Sequence, residues 1–93
     1  MDLEELCNTV HKATGKKVPG IKGLNLWIHL GCPREETDEV RKLFYSVMDI
    51  EYLGIMGGES YELWVHMENG DMPVFYGLIA IRKALNRLLE RQI

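Results

Sequence analysis

The sequence predicts one α+β domain over residues 1–93, in the order helix, strand, helix, strand, strand, helix. Two segments alternate apolar and polar residues, Leu-Asn-Leu-Trp-Ile-His-Leu at 24–30 and Tyr-Glu-Leu-Trp-Val-His-Met at 61–67, which is the period of half-buried strands. Three other segments repeat apolar residues at the helical spacing of three and four. A chain of 93 residues with 46% hydrophobic content suits a single globular unit with a modest core.

Composition and charge narrow the class of protein. The net charge of −3 argues against a general nucleic-acid binder, which usually carries a basic excess. No apolar run approaches the roughly 18 residues of a membrane span, and the acidic N-terminus is not a signal peptide. Cys7 and Cys32 are too few for a disulfide framework. We therefore expect a cytoplasmic protein that contacts no membrane and has neither cofactor nor metal.

The first predicted helix covers residues 2–14. Asp2 and Glu5 have the spacing of a capping box, and Thr14-Gly15 supplies a C-terminal stop. The apolar stripe between them consists of Leu3, Leu6, Cys7 and Val10.

A loop over residues 15–23 follows, and it carries Lys16, Lys17 and Lys22. A solvated connection is one interpretation. The other is a loop that contacts an anion, because glycine-rich backbone beside lysine can hold phosphate. The spacing matches neither a Walker loop nor a dinucleotide fingerprint.

The strand over 24–30 is expected to direct its aliphatic side chains to one face and Asn25, Trp27 and His29 to the other. Gly31-Cys32-Pro33 ends this strand. Pro33 and the acidic residues after it suit a helix N-terminus. The second helix is predicted over 33–48, with a buried stripe of Val40, Leu43, Phe44 and Val47.

The second strand is predicted over 50–56, and Gly57-Gly58 offers a tight hairpin into the third strand over 61–67. Asp71 can cap a third helix, and Pro73 is tolerated in its first turn. That helix is predicted to reach Arg91. Its apolar stripe consists of Phe75, Leu78, Ile79, Leu85 and Leu89, widened by Val74, Ile81 and Leu88.

The last five elements resemble a ferredoxin-like unit without its fourth strand. A right-handed crossover between the first two strands leaves room for the third strand between them. The expected sheet is therefore antiparallel and three-stranded, in the order 1-3-2. The second and third helices cover one face, and the N-terminal helix is available for the other.

The number of residues in the turn between the second and third strands decides which side chains lie on that other face. With an even number of turn residues, Leu53 and Ile55 join the two tryptophans there, whereas a three-residue turn moves both to the helix side. We favour the even turn. The face then collects Trp27, His29, Trp64 and His66, with Glu51 and Glu62.

Two indoles beside aliphatic residues form an apolar patch of the size that marks an interaction site. Three candidates can cover it. The N-terminal helix can fold back, a second copy can pack face to face or pair with the exposed edge of the first strand, or a partner or flat ligand can bind.

The candidate chemistry is sparse. A register with Trp27 opposite Trp64 places His29 opposite Glu62, which could orient it. Cys32 lies at a predicted helix N-terminus, three residues after His29, which is the basis for a Cys-His nucleophile as an alternative. The spacing of His29, Cys32 and His66 matches no standard metal site. We assign no catalytic residue, and Cys32 is expected to be a weak N-cap.

The leading hypothesis is a small non-enzymatic binding protein of the adaptor or inhibitor type, which acts through protein–protein contact and forms a homodimer. A second hypothesis is a small-nucleotide-binding or sequestering protein, and a third is a thiol-dependent enzyme around Cys32. The predicted ligand- or partner-binding residues are Trp27, His29, Trp64, His66, Glu62, Lys16, Lys17 and Lys22.

Overall fold

The computed structural model describes residues 18–47, 50–58 and 60–91. The predicted helix over 2–14, with Cys7, Lys16 and Lys17, lies outside these residues. The described part is a small α+β domain with two helices and a four-stranded mixed sheet. Its elements are β1 (Ile21–His29), α1 (Arg34–Val47), β2 (Ile50–Met56), β3 (Tyr61–Met67), β4 (Val74–Tyr76) and α2 (Leu78–Glu90).

The strand order is β2-β1-β3-β4. β1 pairs in parallel with β2 and antiparallel with β3, and β3 pairs antiparallel with β4. The predicted three-stranded antiparallel sheet in the order 1-3-2, and with it the ferredoxin-like arrangement, is therefore wrong. The chain does not turn back beside β2; it crosses to the far side of β1. Among the described strands, β1 is thus central, and β2 and β4 form the two edges of the sheet.

The strand β4 occupies residues that the sequence pattern assigned to the C-terminal helix. A turn at Asn69-Gly70, with Gly70 at φ 94°, reverses the chain after β3. The amide N–H groups of Met67 and Val65 donate to the carbonyls of Asp71 and Pro73, at 2.8 and 3.0 Å. This pairing satisfies the edge of β3 that would otherwise be unbonded. The helix α2 starts only at Leu78, after Gly77 at φ 86°.

Both helices pack on one face of the sheet. The largest fully buried side chains come from all layers and are Phe44, Leu24, Leu26, Leu63, Ile81, Leu85, Val40 and Val47. The predicted stripe of α1 is confirmed, with Leu43 partly buried against this core. The stripe of α2 differs, because Ala84 is buried and Ile79 is 74% exposed. The later helix start changes which residues face the sheet.

The two faces of β1 alternate as expected from Leu24 to His29, but Leu30 lies in the following turn and is 72% exposed. Leu53 pairs with Leu26 and Ile55 with Ile28, so Leu53 and Ile55 lie on the helix side. Their expected place beside the tryptophans is wrong. The reason is that β2 pairs in parallel with β1, so the parity of a β2–β3 hairpin does not apply.

Candidate functional site

The carboxyl end of β1 is held by the segment that connects β2 to β3. This segment crosses over the end of β1, and its carbonyls accept hydrogen bonds from successive residues there. The His29 amide donates to the Ser60 carbonyl at 3.1 Å, and the Leu30 and Gly31 amides donate to Met56 and Gly58. Gly57 and Gly58, which the sequence predicted to form a hairpin turn, therefore lie across the end of β1. We call Gly57, Gly58 and Ser60 the strap.

The imidazole of His29 lies between this strap and β3. Its Nδ1 is 2.9 Å from the Gly57 carbonyl oxygen, and its Nε2 is 3.0 Å from Oε2 of Glu62. A carbonyl and an ionised carboxylate only accept hydrogen bonds, so the protonated ring, which donates from both nitrogens, is the form that satisfies both contacts. The Gly57 hydrogen bond first, and the Glu62 carboxylate second, raise the pKa of His29 above its ordinary value of 6.5.

Gly58 sits directly against this ring. A Cβ added at Gly58 would lie 2.7 Å from His29 Nδ1, and the residue has a φ of 127°. Only glycine fits both the space and the backbone conformation. His29, Gly57, Gly58 and Glu62 together form what we call the strand-end cluster, in which the side chains of His29 and Glu62 are 12% and 21% exposed.

Beside this cluster lies a second small hydrogen-bond network. The Thr37 hydroxyl donates to the Pro33 carbonyl at 2.9 Å, and the Tyr61 hydroxyl is 3.5 Å from Thr37 Oγ1. Since the Thr37 proton is used at Pro33, Tyr61 is the donor in this pair. Burial is the main reason why the pKa of Tyr61 is raised. The network anchors the first turn of α1 to β3.

The Cys32 thiol donates to the Ser60 carbonyl at 3.3 Å, and its sequence neighbour Pro33 precedes α1. His29 is near in sequence, but both of its ring nitrogens are bonded to Gly57 and Glu62. The described geometry therefore forms no Cys32–His29 pair. Nor does the described part of the chain hold a group of three or more His, Cys, Asp or Glu side chains suited to a metal ion.

The tryptophans lie on the sheet face opposite the helices, which we call the open face. Trp27 is paired with Glu62, and Trp64 with Asn25, so the two indoles are diagonal neighbours on adjacent strands. The register with Trp27 opposite Trp64 is one of several that the sequence allows, and the observed pairing differs from it by two residues. Both side chains are half-buried. The Trp64 indole nitrogen is buried, and no hydrogen-bond acceptor for it is found among the residues that the structure describes.

The remaining predicted site residues lie apart from the strand-end cluster. His66 pairs with Gly23 at the other end of the open face, and Lys22 is exposed next to it, where the β1–β3 register shifts. The structure thus brings His29 and Glu62 into direct contact and puts both indoles on one face. His66 lies two residue pairs beyond the Asn25–Trp64 pair, towards the amino end of β1, and Lys22 is next to it.

An apolar patch borders the strand-end cluster, and sequence reasoning missed it. Leu30, Ile55 and Met56 are 72%, 45% and 44% exposed. Their backbones are adjacent, because the Leu30 amide donates to the Met56 carbonyl. Ile55 pairs with Ile28 and Met56 with His29, so these two side chains point to opposite faces and the patch wraps around the end of the β2 edge. The alternation of 24–30 suggested that Leu30 points into the core. The signal that it does not is Gly31-Cys32-Pro33, which ends the strand at His29.

Comparisons with known protein families, with curated proteins and with solved structures found no match to this chain. Neither of the described helices has the length and apolar character needed to cross a membrane.

Proposed function

We propose that this chain is a non-enzymatic binding protein of the adaptor or inhibitor type, which acts through protein–protein contact and self-associates through the β2 edge of its sheet. The observation that carries the proposal is the apolar patch of Leu30, Ile55 and Met56, which lies at this edge. Exposed apolar residues on both faces of an edge strand favour the addition of another strand at that edge, because each then loses contact with water.

The backbone of β2 supports the same proposal. Among the described strands, β2 has a neighbour on one side only. The sequence Ile-Glu-Tyr-Leu-Gly-Ile-Met contains no proline, lysine or arginine, which commonly protect an edge strand. Its one charged residue, Glu51, and the register shift with β1 are at the amino end of β2, away from Ile55 and Met56. A second copy that adds its own β2 in antiparallel orientation, about a two-fold axis near Ile55, brings the two patches together and extends the sheet.

Sedimentation velocity over a range from about 1 µM to about 1 mM tests the assembly, since this range covers weak and moderate dimers. We expect a reversible shift from 10.7 kDa to twice that mass. Ile55→Lys should raise the dissociation constant at least about tenfold, because it puts a charge into the apolar contact.

The matched control is Ile79→Lys, which adds the same charge to an isoleucine that is 74% exposed at the start of α2. It should leave the dissociation constant unchanged. A wild-type chain that stays monomeric throughout, or an Ile79→Lys variant that dissociates as strongly as Ile55→Lys, would contradict the proposal. Circular dichroism establishes that each variant is folded.

A second candidate is binding of a small nucleotide on the open face. The observation in its favour is that Trp27 and Trp64 lie diagonally on neighbouring strands, where a flat base could stack. Lys22, exposed at the start of β1, would contact phosphate. Titration with mono-, di- and cyclic nucleotides should quench the tryptophan fluorescence. No change with any of them up to about 1 mM, the weak limit of useful affinity, would argue against stacking.

A further inference from the structure

A groove lies at the opposite edge of the sheet, between α2 and the β3–β4 hairpin. It has a volume of about 370 Å³. This is within the range of about 300–1,000 Å³ that is typical of ligand sites. Its floor is apolar and includes Ile21, Val65, Met67, Phe75, Ala84 and Leu88.

Three cations line one side of this groove: Lys83, Arg87 and Arg91. They are spaced by four residues along α2 and its C-cap, so they lie on one stripe, about 6 Å apart along the helix axis. All three are exposed. None forms an ion pair with any residue of 18–47, 50–58 or 60–91, and no carboxylate from these ranges lines the groove.

Arg82, the neighbouring cation on α2, differs from these three because it has a partner. Arg82 is ion-paired with Glu39 and joins α2 to α1. Cations in the last turn of a helix complement its dipole, which accounts for Arg87 and Arg91 singly. That effect falls off within one turn, so it does not account for Lys83, two turns earlier. The net charge of the chain is −3, so this stripe is a local reversal of its overall charge.

We propose that the groove is a docking site for an acidic amphipathic helix of a partner protein. Its apolar side chains would enter the floor, and carboxylates spaced by four residues would meet the three cations in turn. A ligand with a single anionic head group would use only one of the cations. A nucleic acid would use the cations and leave the apolar floor empty. A helix with one acidic and one apolar stripe uses both.

The docking site does not rest on the proposed self-association. The groove lies beside β3 and β4, and the apolar patch lies at the β2 edge, so the two contacts use different surfaces. A chain that stays monomeric can still bind the helix, and a dimer can fail to bind it.

Fluorescence anisotropy with the full chain and three synthetic peptides tests the proposal. The probe is a fluorescein-labelled 15-residue helical peptide with leucines along one stripe and three glutamates spaced by four. One comparison peptide replaces the glutamates with lysine, and the other replaces the leucines with serine. We expect the acidic probe to bind at micromolar concentration and to weaken as salt rises. Each comparison peptide should bind at least about tenfold more weakly, since each lacks one of the two contacts.

Variants of the chain locate the site. Arg87→Glu should weaken binding of the acidic probe at least about tenfold and strengthen binding of the lysine peptide, because the charges are exchanged. Arg34→Glu changes another exposed arginine, at the start of α1; it is the matched control and should leave both affinities unchanged. The proposal is overturned if the acidic probe does not bind up to about 1 mM, if the lysine or serine peptide binds equally well, or if Arg34→Glu acts like Arg87→Glu.

Discussion

Substituting alanine for Gly58 tests whether the strap is closed on the His29 ring. The added methyl group would lie 2.7 Å from His29 Nδ1, well inside van der Waals contact, and the φ of 127° would have to be kept by a residue with a side chain. The ring has little freedom to retreat, because hydrogen bonds to Gly57 and Glu62 hold both of its nitrogens. Gly58→Ala therefore has to strain the backbone, break these hydrogen bonds, or do both.

The size of the effect follows from these two contributions. A non-glycine residue at a positive φ of this kind costs about 1–3 kcal/mol. A hydrogen bond to a charged group contributes about 1.5–3 kcal/mol, and partial exposure and screening reduce that contribution here. We expect Gly58→Ala to lower the free energy of unfolding by about 2–4 kcal/mol, a large part of the about 5–15 kcal/mol that is typical of a domain.

Urea unfolding followed by tryptophan fluorescence measures the change, and Gly57→Ala is the matched control. A Cβ at Gly57 meets nothing within 4 Å. That substitution should therefore change stability by less than about 0.5 kcal/mol. The same assay in a His29→Ala background separates the contributions, because removing the ring removes the clash and leaves only the backbone strain.

A coupling of at least about 1 kcal/mol between the two positions is expected, with the double variant less destabilised than the sum of the single ones. The reasoning is refuted if Gly58→Ala costs as much without the His29 ring as with it. It is also refuted if Gly58→Ala is no more destabilising than Gly57→Ala.

Three other substitutions address the charge on His29 and the packing of the core. Because the folded pKa of His29 is raised, its contribution to stability is complete below the unfolded pKa of about 6.5 and is lost as pH rises through the folded value. Urea titrations should show this loss in the wild type and not in His29→Gln; equal slopes would contradict it. Leu63→Ala removes a fully buried side chain and should cost about 2–5 kcal/mol, whereas Ile79→Ala, at an exposed position, should cost less than about 0.5 kcal/mol.

The elements with strong periodicity could be predicted from the sequence. The second helix was expected over 33–48 and is found at Arg34–Val47, and the strands Ile50–Met56 and Tyr61–Met67 have their expected bounds. Strict alternation, or a continuous apolar stripe ended by proline or glycine, leaves little room for another local structure. Only the first strand is longer than expected, because Ile21 joins the sheet through a register shift near Gly23.

The apolar pattern of the sequence predicted the wrong start for the C-terminal helix. Val74-Phe75-Tyr76 fits the apolar stripe of a helix, but it also consists of β-branched and aromatic residues, which favour strands. Asn69-Gly70 is a strong hairpin signal, and the Asp71 amide donates to the Asn69 side chain at 3.0 Å. The turn was identified as a break in the chain, and its consequence, a fourth strand paired with β3, was missed.

Topology could not be predicted because it depends on which strands become neighbours. Gly57-Gly58 satisfies the local requirements of a tight hairpin as well as those of a strap over another strand. The feature that distinguishes the strap from a hairpin turn is the close contact between Gly58 and the His29 ring. The two residues are 29 positions apart in the chain, so a local pattern does not show this contact. One of several registers that the sequence allows places His29 opposite Glu62. In the observed register the two residues are diagonal, and they meet because a glutamate side chain is long enough to reach.

The two proposed contact surfaces lie at opposite ends of β1. The apolar patch and the strand-end cluster lie at its carboxyl end, and the proposed helix-docking groove reaches Ile21 at its amino end. Eight residue steps at about 3.3 Å separate Ile21 from His29, so the two ends are about 26 Å apart. This exceeds the roughly 7–10 Å over which substitutions interact and the Debye length of about 8 Å at physiological salt. A charge introduced at Ile55, which pairs with Ile28 near the carboxyl end of β1, should therefore weaken self-association and leave binding of the acidic probe to the groove unchanged.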